Sequence, residues 1–454
     1  MAIYCCKSRV FNRRFEPLRA SDVMSQRLLP DPAPGPLEAY ACAFDPLFSK
    51  RSQRESFRRY LEGLLLGCER NKTLTGLANT EPSVGATKPQ AQRLQWYLSE
   101  STWDPELVNQ QRLALLSQDE ATCADGQGVL IIDETGDRKW GNKTAHVGRQ
   151  YLGSIGKIDN GVVSVSSLFA DERLYYPIDF EPYTPSHHFQ RRKADPAFRT
   201  KPQIALELVE QAVGAGIPFS AVVADNFYGE NDGFKTGLEN LQVGYVLALK
   251  PSHCWWHKRE DIGSVLEAAL SAPWHVDEPG EWVSLLRTFR NKHEEHWWTL
   301  EAECGPYSPE KPQRLVIVTT DPVRLPERTT WYLTTNLPAP NSKRSKESAL
   351  PTAKLEEVVR LYGLRIWVEQ SYKQVKGALG WAHYQVRSDL AIRRHWQLVC
   401  CAFSFCWWAL CRDERMTVHL TVDTPERPAQ VQATRLGQHL SPQTGPPGKK
   451  TMAW

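Results

Sequence analysis

The chain has little surplus of either charge. Fifty-five Lys and Arg face 52 Asp and Glu across 454 residues, leaving +3 with His neutral. That balance excludes a histone-like polycation and an acidic disordered chain alike. No Cys-x-x-Cys pair occurs among the 11 cysteines, so neither a zinc ribbon nor a disulfide framework is indicated, and a reducing cytosol is the expected compartment. Long apolar runs are missing too. The longest, Leu398 to Leu410, has 13 residues, too few to span a bilayer. No membrane role is expected. The composition that remains is globular, with 41% apolar residues and enough length for two or three domains around a sizeable core. Residues 1–36 read as a loose leader. They carry Lys7, Arg9, Arg13, Arg14 and Arg19 but only a short apolar stretch, Ala2 to Cys6, where a secretory signal needs a longer one. Met24 offers a second start.

Residues 37–125 carry a helical pattern without strands. Ser52-x-x-Glu55 reads as a capping box ahead of Phe57, Tyr60, Leu61, Leu64 and Leu65, spaced for one helix face. Asp104-Pro105 reads as an N-cap followed by proline at the first helical position. At Gly128 the pattern changes. Val129 to Ile132 is a short apolar run ending at Asp133. Glycine-punctuated segments follow at Gln150–Gly153, Gly161–Phe169 and Arg173–Tyr176. They predict antiparallel strands around a turn at Lys157–Gly161. A helix over Gln203–Ala212, a buried strand over Phe219–Asp225, a short helix and a strand over Val243–Leu249 complete a mixed sheet with helices packed on it.

Residues 251–345 break that rhythm with a run of tryptophans and two strand-like segments, Arg314–Thr320 and Trp331–Leu337. They read as a β-rich insertion, closed by a polar linker at Asn341–Lys346. One long helix is expected over Lys354–Ala378 and a very apolar one over Trp396–Leu410, ending a unit at 346–412. Residues 413–454 read as a loose tail.

Asp133 and Asp225 each follow an apolar strand. Side by side, such strands would bring two carboxylates to one sheet edge, where a cation is needed to keep both ionised. Hard oxygen ligands favour Mg²⁺ or Mn²⁺. A third carboxylate stands in the segment Tyr362 to Lys376. On an uninterrupted α-helix, Tyr362, Arg365, Glu369, Lys373 and Lys376 would fall within about 80° of one another. The same pattern, taken alone, fits a solvated face with an Arg365–Glu369 pair.

In order, these residues resemble a known family. Tyr362-x2-Arg365-x3-Glu369-x6-Lys376 resembles the Tyr-Arg-Glu-Lys signature of DDE transposases from bacterial insertion sequences. Ile132-Asp-Glu-Thr-Gly136 resembles the first-Asp motif of that family and Ala224-Asp-Asn-Phe-Tyr-Gly229 its second. Trp367-Val-Glu-Gln-Ser-Tyr372, Lys376-Gly-Ala-Leu-Gly380 and His383-Tyr384 are similar to its insertion-sequence-701-like branch. The resemblance covers about residues 37–412. It implies an α/β fold: a ribonuclease-H-like core over 126–250 and 346–412, interrupted by the β-rich insertion and preceded by an all-α N-terminal domain. It implies that Asp133, Asp225 and Glu369 coordinate two Mg²⁺ ions, with Mn²⁺ able to substitute. It also implies that Tyr362, Arg365, Lys373 and Lys376 contact DNA phosphates. The partners it implies are terminal inverted repeats, target DNA and a second copy in a paired-end complex within the bacterial cytosol, at the nucleoid. A catalytically silent DNA-binding descendant and a nuclease without strand transfer remain open alternatives.

Two further patterns are weighed against blander readings. His253, His257, His293, His296 and Cys304 match no ordinary zinc module. Trp255, Trp256, Trp297 and Trp298 read as packing residues first and as base-stacking residues second. Positive charge is local: Ser186–Lys201 has five basic residues against one Asp, and Asn341–Lys376 has eight against four acidic ones. DNA binding needs cations grouped on one surface, and both runs flank the proposed site.

Overall fold

The helical N-terminal pattern forms helices, and no strand precedes Val129 among the described residues. The structure, a computed structural model, describes residues 31–67, 71–79, 89–257, 261–289, 292–302 and 313–412. The leader up to residue 30 and the tail from 413 lie outside them. Helices α1 (Pro36–Cys42), α2 (Arg51–Leu65), α3 (Leu74–Leu77), α4 (Pro89–Ser99) and α5 (Pro105–Ser117) come first. Asp104 caps α5 as its spacing predicts, its carboxylate accepting from Glu106 N–H at 2.9 Å. Helix α2 starts earlier than its expected box. Gln53 accepts from Lys50 N–H at 2.9 Å, while Glu55 already lies one turn in and pairs with Arg51.

Strands β1 (Val129–Arg138), β2 (Gly148–Leu152), β3 (Lys157–Ala170) and β4 (Tyr175–Tyr183) follow. The turn expected at Lys157–Gly161 lies instead at Gly153–Gly156, where Gly156 takes φ 65° and Lys157–Gly161 pairs with β2. A left-handed residue reverses the chain, and glycine adopts that conformation without a Cβ penalty. Helix α6 (Lys201–Gly214) leads to β5 (Ala221–Ala224), then α7 (Asn226–Gly229), α8 (Asp232–Asn240) and β6 (Tyr245–Ala248). β1, β5 and β6 are parallel neighbours. Val129–Ile132 and Ala221–Ala224 are fully buried, as continuous apolar runs in a sheet covered on both faces should be.

The insertion does not form a sheet of its own apart from a small hairpin, β7 (Cys254–His257) with β8 (Asp261–Ser264), ahead of α9 (Val265–Leu270). Strands β9 (Val283–Thr288), β10 (Glu294–Ala302), β11 (Arg314–Thr319) and β12 (Thr330–Thr335) extend the main sheet, in the order β2-β3-β1-β5-β6-β12-β11-β10-β9 with β4 beside β3. The result is one mixed α/β sheet. Trp255 and Trp282 anchor a second apolar cluster under this extension.

The expected polar linker contains a short helix, α10 (Lys343–Glu347), capped by Ser342. The single helix expected over Lys354–Ala378 is two: α11 (Leu355–Gly363) and α12 (Ile366–Gly377). Between them Arg365 N–H bonds Tyr362 O at 3.0 Å and Val368 N–H bonds Arg365 O at 3.1 Å. This i→i+3 pattern is a tight 3-10 connection that re-aims the chain. Tyr362 therefore does not share one helix face with Glu369, Lys373 and Lys376. Helix α13 (Asp389–Arg412) closes the fold and begins about two turns before the expected apolar segment. No helix among the described residues is long and apolar enough to cross a membrane.

Candidate active site

The register of two short strands sets the site. Ile132 of β1 lies beside Ala224 of β5 in parallel pairing, so Asp133 and Asp225 follow at matching positions of neighbouring strands. Strand neighbours are about 5 Å apart, which brings both carboxylates to the same edge. The two then diverge. β5 ends, and Asp225 caps α7, accepting from Phe227 N–H at 3.0 Å. β1 continues for five more residues, so Asp133 sits within a strand rather than at its end.

Asp133 is surrounded. One carboxylate oxygen accepts from Glu134 N–H at 2.7 Å and the other from Arg365 Nη2 at 2.9 Å. Burial pushes its carboxyl up to about 6, against the pull of Arg365 and with the like charge of Asp225 adding to the rise. Arg365 is itself partly desolvated, yet the Asp133 carboxylate holds its guanidinium above the usual value, with Tyr362, Asp225 and Glu369 contributing. One cation thus feels all three carboxylates of the expected trio. Glu369 lies in the first turn of α12, exposed, with no hydrogen bond or ion pair to a described residue.

The remaining expected residues separate. Tyr362 is half-buried at the end of α11, its ring edge-on to Trp331 at 5.1 Å, and burial pushes its phenol up to about 12. Lys376 is turned into the fold, donating to Gly136 O at 2.9 Å and pairing with Asp137 at 2.8 Å. Lys373 stands in solvent.

Several residues that place α12 lie outside the Tyr-Arg-Glu-Lys signature, although Trp367 and Tyr372 belong to the branch motif beside it. Tyr372 hydroxyl lies 2.6 Å from Ser166 Oγ, and Ser166 is the β3 residue paired with Asp133. Tyr175 donates to Gln374 at 2.8 Å and stacks on Trp367 at 4.7 Å. The available signal was the buried row Val368, Ser371 and Val375, whose three-to-four spacing marks the docked side of α12. Lys201, at the start of α6, pairs with Glu134 at 2.8 Å. Its signal in the sequence was the basic run Ser186–Lys201, which ends on it.

The donor set suits a hard divalent cation, since Asp133, Asp225 and Glu369 offer only carboxylate oxygens. Among the described residues no three His, Cys, Asp or Glu side chains are gathered closely enough to hold an ion. Arg365 supplies the charge that Asp133 requires in this arrangement. Of the tryptophans, Trp255 and Trp297 are buried, and Trp298 meets Trp274 edge-on at 5.3 Å. They pack. The side chain of Trp256, the side chain of His257 and all of Cys304 lie outside the described residues.

Comparison with known proteins identifies the family. A model of the DDE superfamily endonucleases matches residues 43–309, a span that includes Asp133 and Asp225 and stops before Glu369. The chain is 32% identical over 351 residues, 77% of its own length and 81% of the relative's, to a probable transposase for insertion sequence element IS701 from Microchaete diplosiphon. Both motifs, their neighbouring strands and this extended similarity show that the chain belongs to the DDE superfamily endonucleases, as a transposase of the IS701 kind.

Proposed function

We propose that this transposase binds the terminal inverted repeats of its element, cuts DNA at the element ends and joins the resulting 3′-hydroxyls to target DNA. The observation that carries the reading is the placement of Asp133 and Asp225 after paired residues of the parallel neighbours β1 and β5, with Arg365, one turn before Glu369, bonded to Asp133. The β1–β6 strands and α11–α13 then form a ribonuclease-H-like core, with helices α1–α5 as a preceding domain and 251–345 as its insertion. Asp133, Asp225 and Glu369 would hold two Mg²⁺ ions, or Mn²⁺ in their place. When bound, such a pair activates the attacking oxygen and stabilises the leaving one.

The chain's own residues do the rest. Arg365 holds the Asp133 carboxylate ionised although burial favours the proton. Its guanidinium, one-fifth exposed, would also meet a phosphate oxygen of the DNA. Lys373, exposed one turn after Glu369, adds a second phosphate contact, and Tyr362 lines the other end. Lys376 serves differently: it fixes the β1 segment beyond Asp133. Joining two ends requires at least two copies, so the active form is a homodimer on paired ends, in the cytoplasm beside the nucleoid.

The test uses the whole protein with duplexes carrying the element ends and an unrelated target duplex in Mg²⁺. Cleavage at the ends followed by covalently joined products is the expected result. Binding without cleavage would overturn the enzymatic reading, and cleavage without joining would overturn strand transfer.

A further inference from the structure

Arg287 of β9 occupies an unusual position for a strand arginine. It lies directly opposite Glu295 of β10, and two residues away Leu285 lies opposite Trp297. Directly opposed residues project from the same face of a sheet, so Arg287 and Trp297 share one side. The guanidinium is 4.9 Å from the ring centre of Trp297, 4.6 Å from Trp331 and 4.4 Å from Phe289. Trp331 in turn meets Tyr362 at 5.1 Å. A single ring therefore separates Arg287 from the signature tyrosine.

Gly363 gives a second, independent indication. A Cβ built there would stand 3.0 Å from Arg287 Nη2, closer than side chains normally approach. The residue after Tyr362 leaves space for this guanidinium.

The third observation is chemical. Arg287 makes no hydrogen bond or ion pair with any described residue. Its opposite number, Glu295, is engaged elsewhere, by Trp297 Nε1 at 2.9 Å and His293 Nε2 at 3.2 Å. Aromatic faces attract the cation but accept none of its five N–H donors in the plane of the fork. Burial lowers the guanidinium from its ordinary value, with the nearby Glu295 carboxylate pulling the other way. A guanidinium flanked by three aromatic rings and bonded to no acceptor among the described residues is suited to a phosphate, which it can meet bidentately.

We propose that Arg287 is a further DNA phosphate-binding residue, delivered by the β9–β10 hairpin of the insertion to the Tyr362 end of the active site. This assigns the insertion a direct part in holding DNA, and it rests on the transposase reading above. The competing account makes Arg287 a cation–π staple between the insertion and α11, which would affect folding and leave DNA untouched.

A salt titration of binding to a mixed-sequence DNA duplex separates the two, because phosphate contacts are independent of sequence. The full chain, Arg287→Met and Arg287→Lys are compared, with thermal unfolding of each recorded alongside. Methionine keeps apolar contact with the rings and removes the charge. The expected result is weaker binding by Arg287→Met, with a log–log salt slope shallower by about 0.9, the increment for one phosphate on duplex DNA. Arg287→Lys should keep the slope and bind less tightly, since an ammonium cannot make the fork contact. Wild-type affinity and slope in Arg287→Met would overturn the proposal, whatever its unfolding temperature. Should Arg287→Met fail to fold, wild-type affinity in Arg287→Lys would overturn the fork contact. Failure of the unaltered protein to bind duplex in a salt-dependent way would instead overturn the transposase reading.

Discussion

Lys376 is held from two sides, by Gly136 O and by the Asp137 carboxylate, and Asp137 is only 5% exposed. Removing the ammonium would strand a buried carboxylate, and breaking a buried pair from one side typically costs about 3–5 kcal/mol. Because Lys376 is itself partly exposed, Lys376→Met should fall near the lower end, with a clearly lowered unfolding temperature and a nearly unchanged salt dependence of DNA binding. A shallower slope with unchanged stability would return Lys376 to the DNA side.

Asp179 on β4 shows a related principle with a measurable pH signature. Burial, reinforced by the like charge of Glu106, pushes its carboxyl from an ordinary 3.8 up to about 7. The native state therefore holds a proton that the unfolded chain releases, and stability falls as pH rises from about 4 to 7. At roughly 1.4 kcal/mol per unit, this amounts to a few kcal/mol at most. Asp179→Asn should be more stable than the parent at pH 8, and the advantage should vanish towards pH 4. Unfolding curves that stay parallel across that range would exclude Asp179 as the cause.

Among the elements, those built from strong local signals were legible in the sequence. Asp104-Pro105 opened α5, and the apolar runs before Asp133 and Asp225 became adjacent parallel strands. The break between α11 and α12 was not legible. A single glycine in a helical pattern is tolerated, and what ends α11 here is a 3-10 turn whose space is set by Arg287, some 75 residues earlier in the sequence. The docking of α12 through Tyr372 and Ser166 is equally non-local.

Helix α7 illustrates how a motif residue can serve packing. A Cβ on Gly229 would stand 1.9 Å from Ala248 O of β6. A backbone carbonyl cannot move aside as a side chain can. Gly229→Ala should therefore destabilise the protein by about 1–3 kcal/mol or more, as overpacking does, and should reduce cleavage by displacing Asp225 at the start of α7. A variant with unchanged unfolding and cleavage would contradict the close approach.

Across the whole molecule, the N-terminal helices and the sheet share one buried cluster running from Leu37 to Ala409. Helix α13 is its spine. Arg112 of α5, fully buried, donates to Pro177 O at 2.7 Å, Ile178 O at 2.8 Å and Ser404 Oγ at 2.9 Å. It thereby ties α5, β4 and α13 together. Tyr60 of α2 meets His395 of α13 at 2.8 Å. The site carboxylates are thus mounted on a frame to which α1–α5 contribute directly, a dependence that composition and periodicity could not reveal.

Glu369 permits the cleanest test of the central claim, because it is exposed and engages no described partner. Glu369→Gln keeps its shape, and a surface change of this kind is worth within about 0.5 kcal/mol of stability. Any large effect would then arise from chemistry rather than folding. Mg²⁺-dependent cleavage of end-bearing duplex by this variant should fall to background while duplex binding and unfolding temperature stay at the parental values. Cleavage at a near-parental rate would contradict the assignment of Glu369 as the third carboxylate of the site.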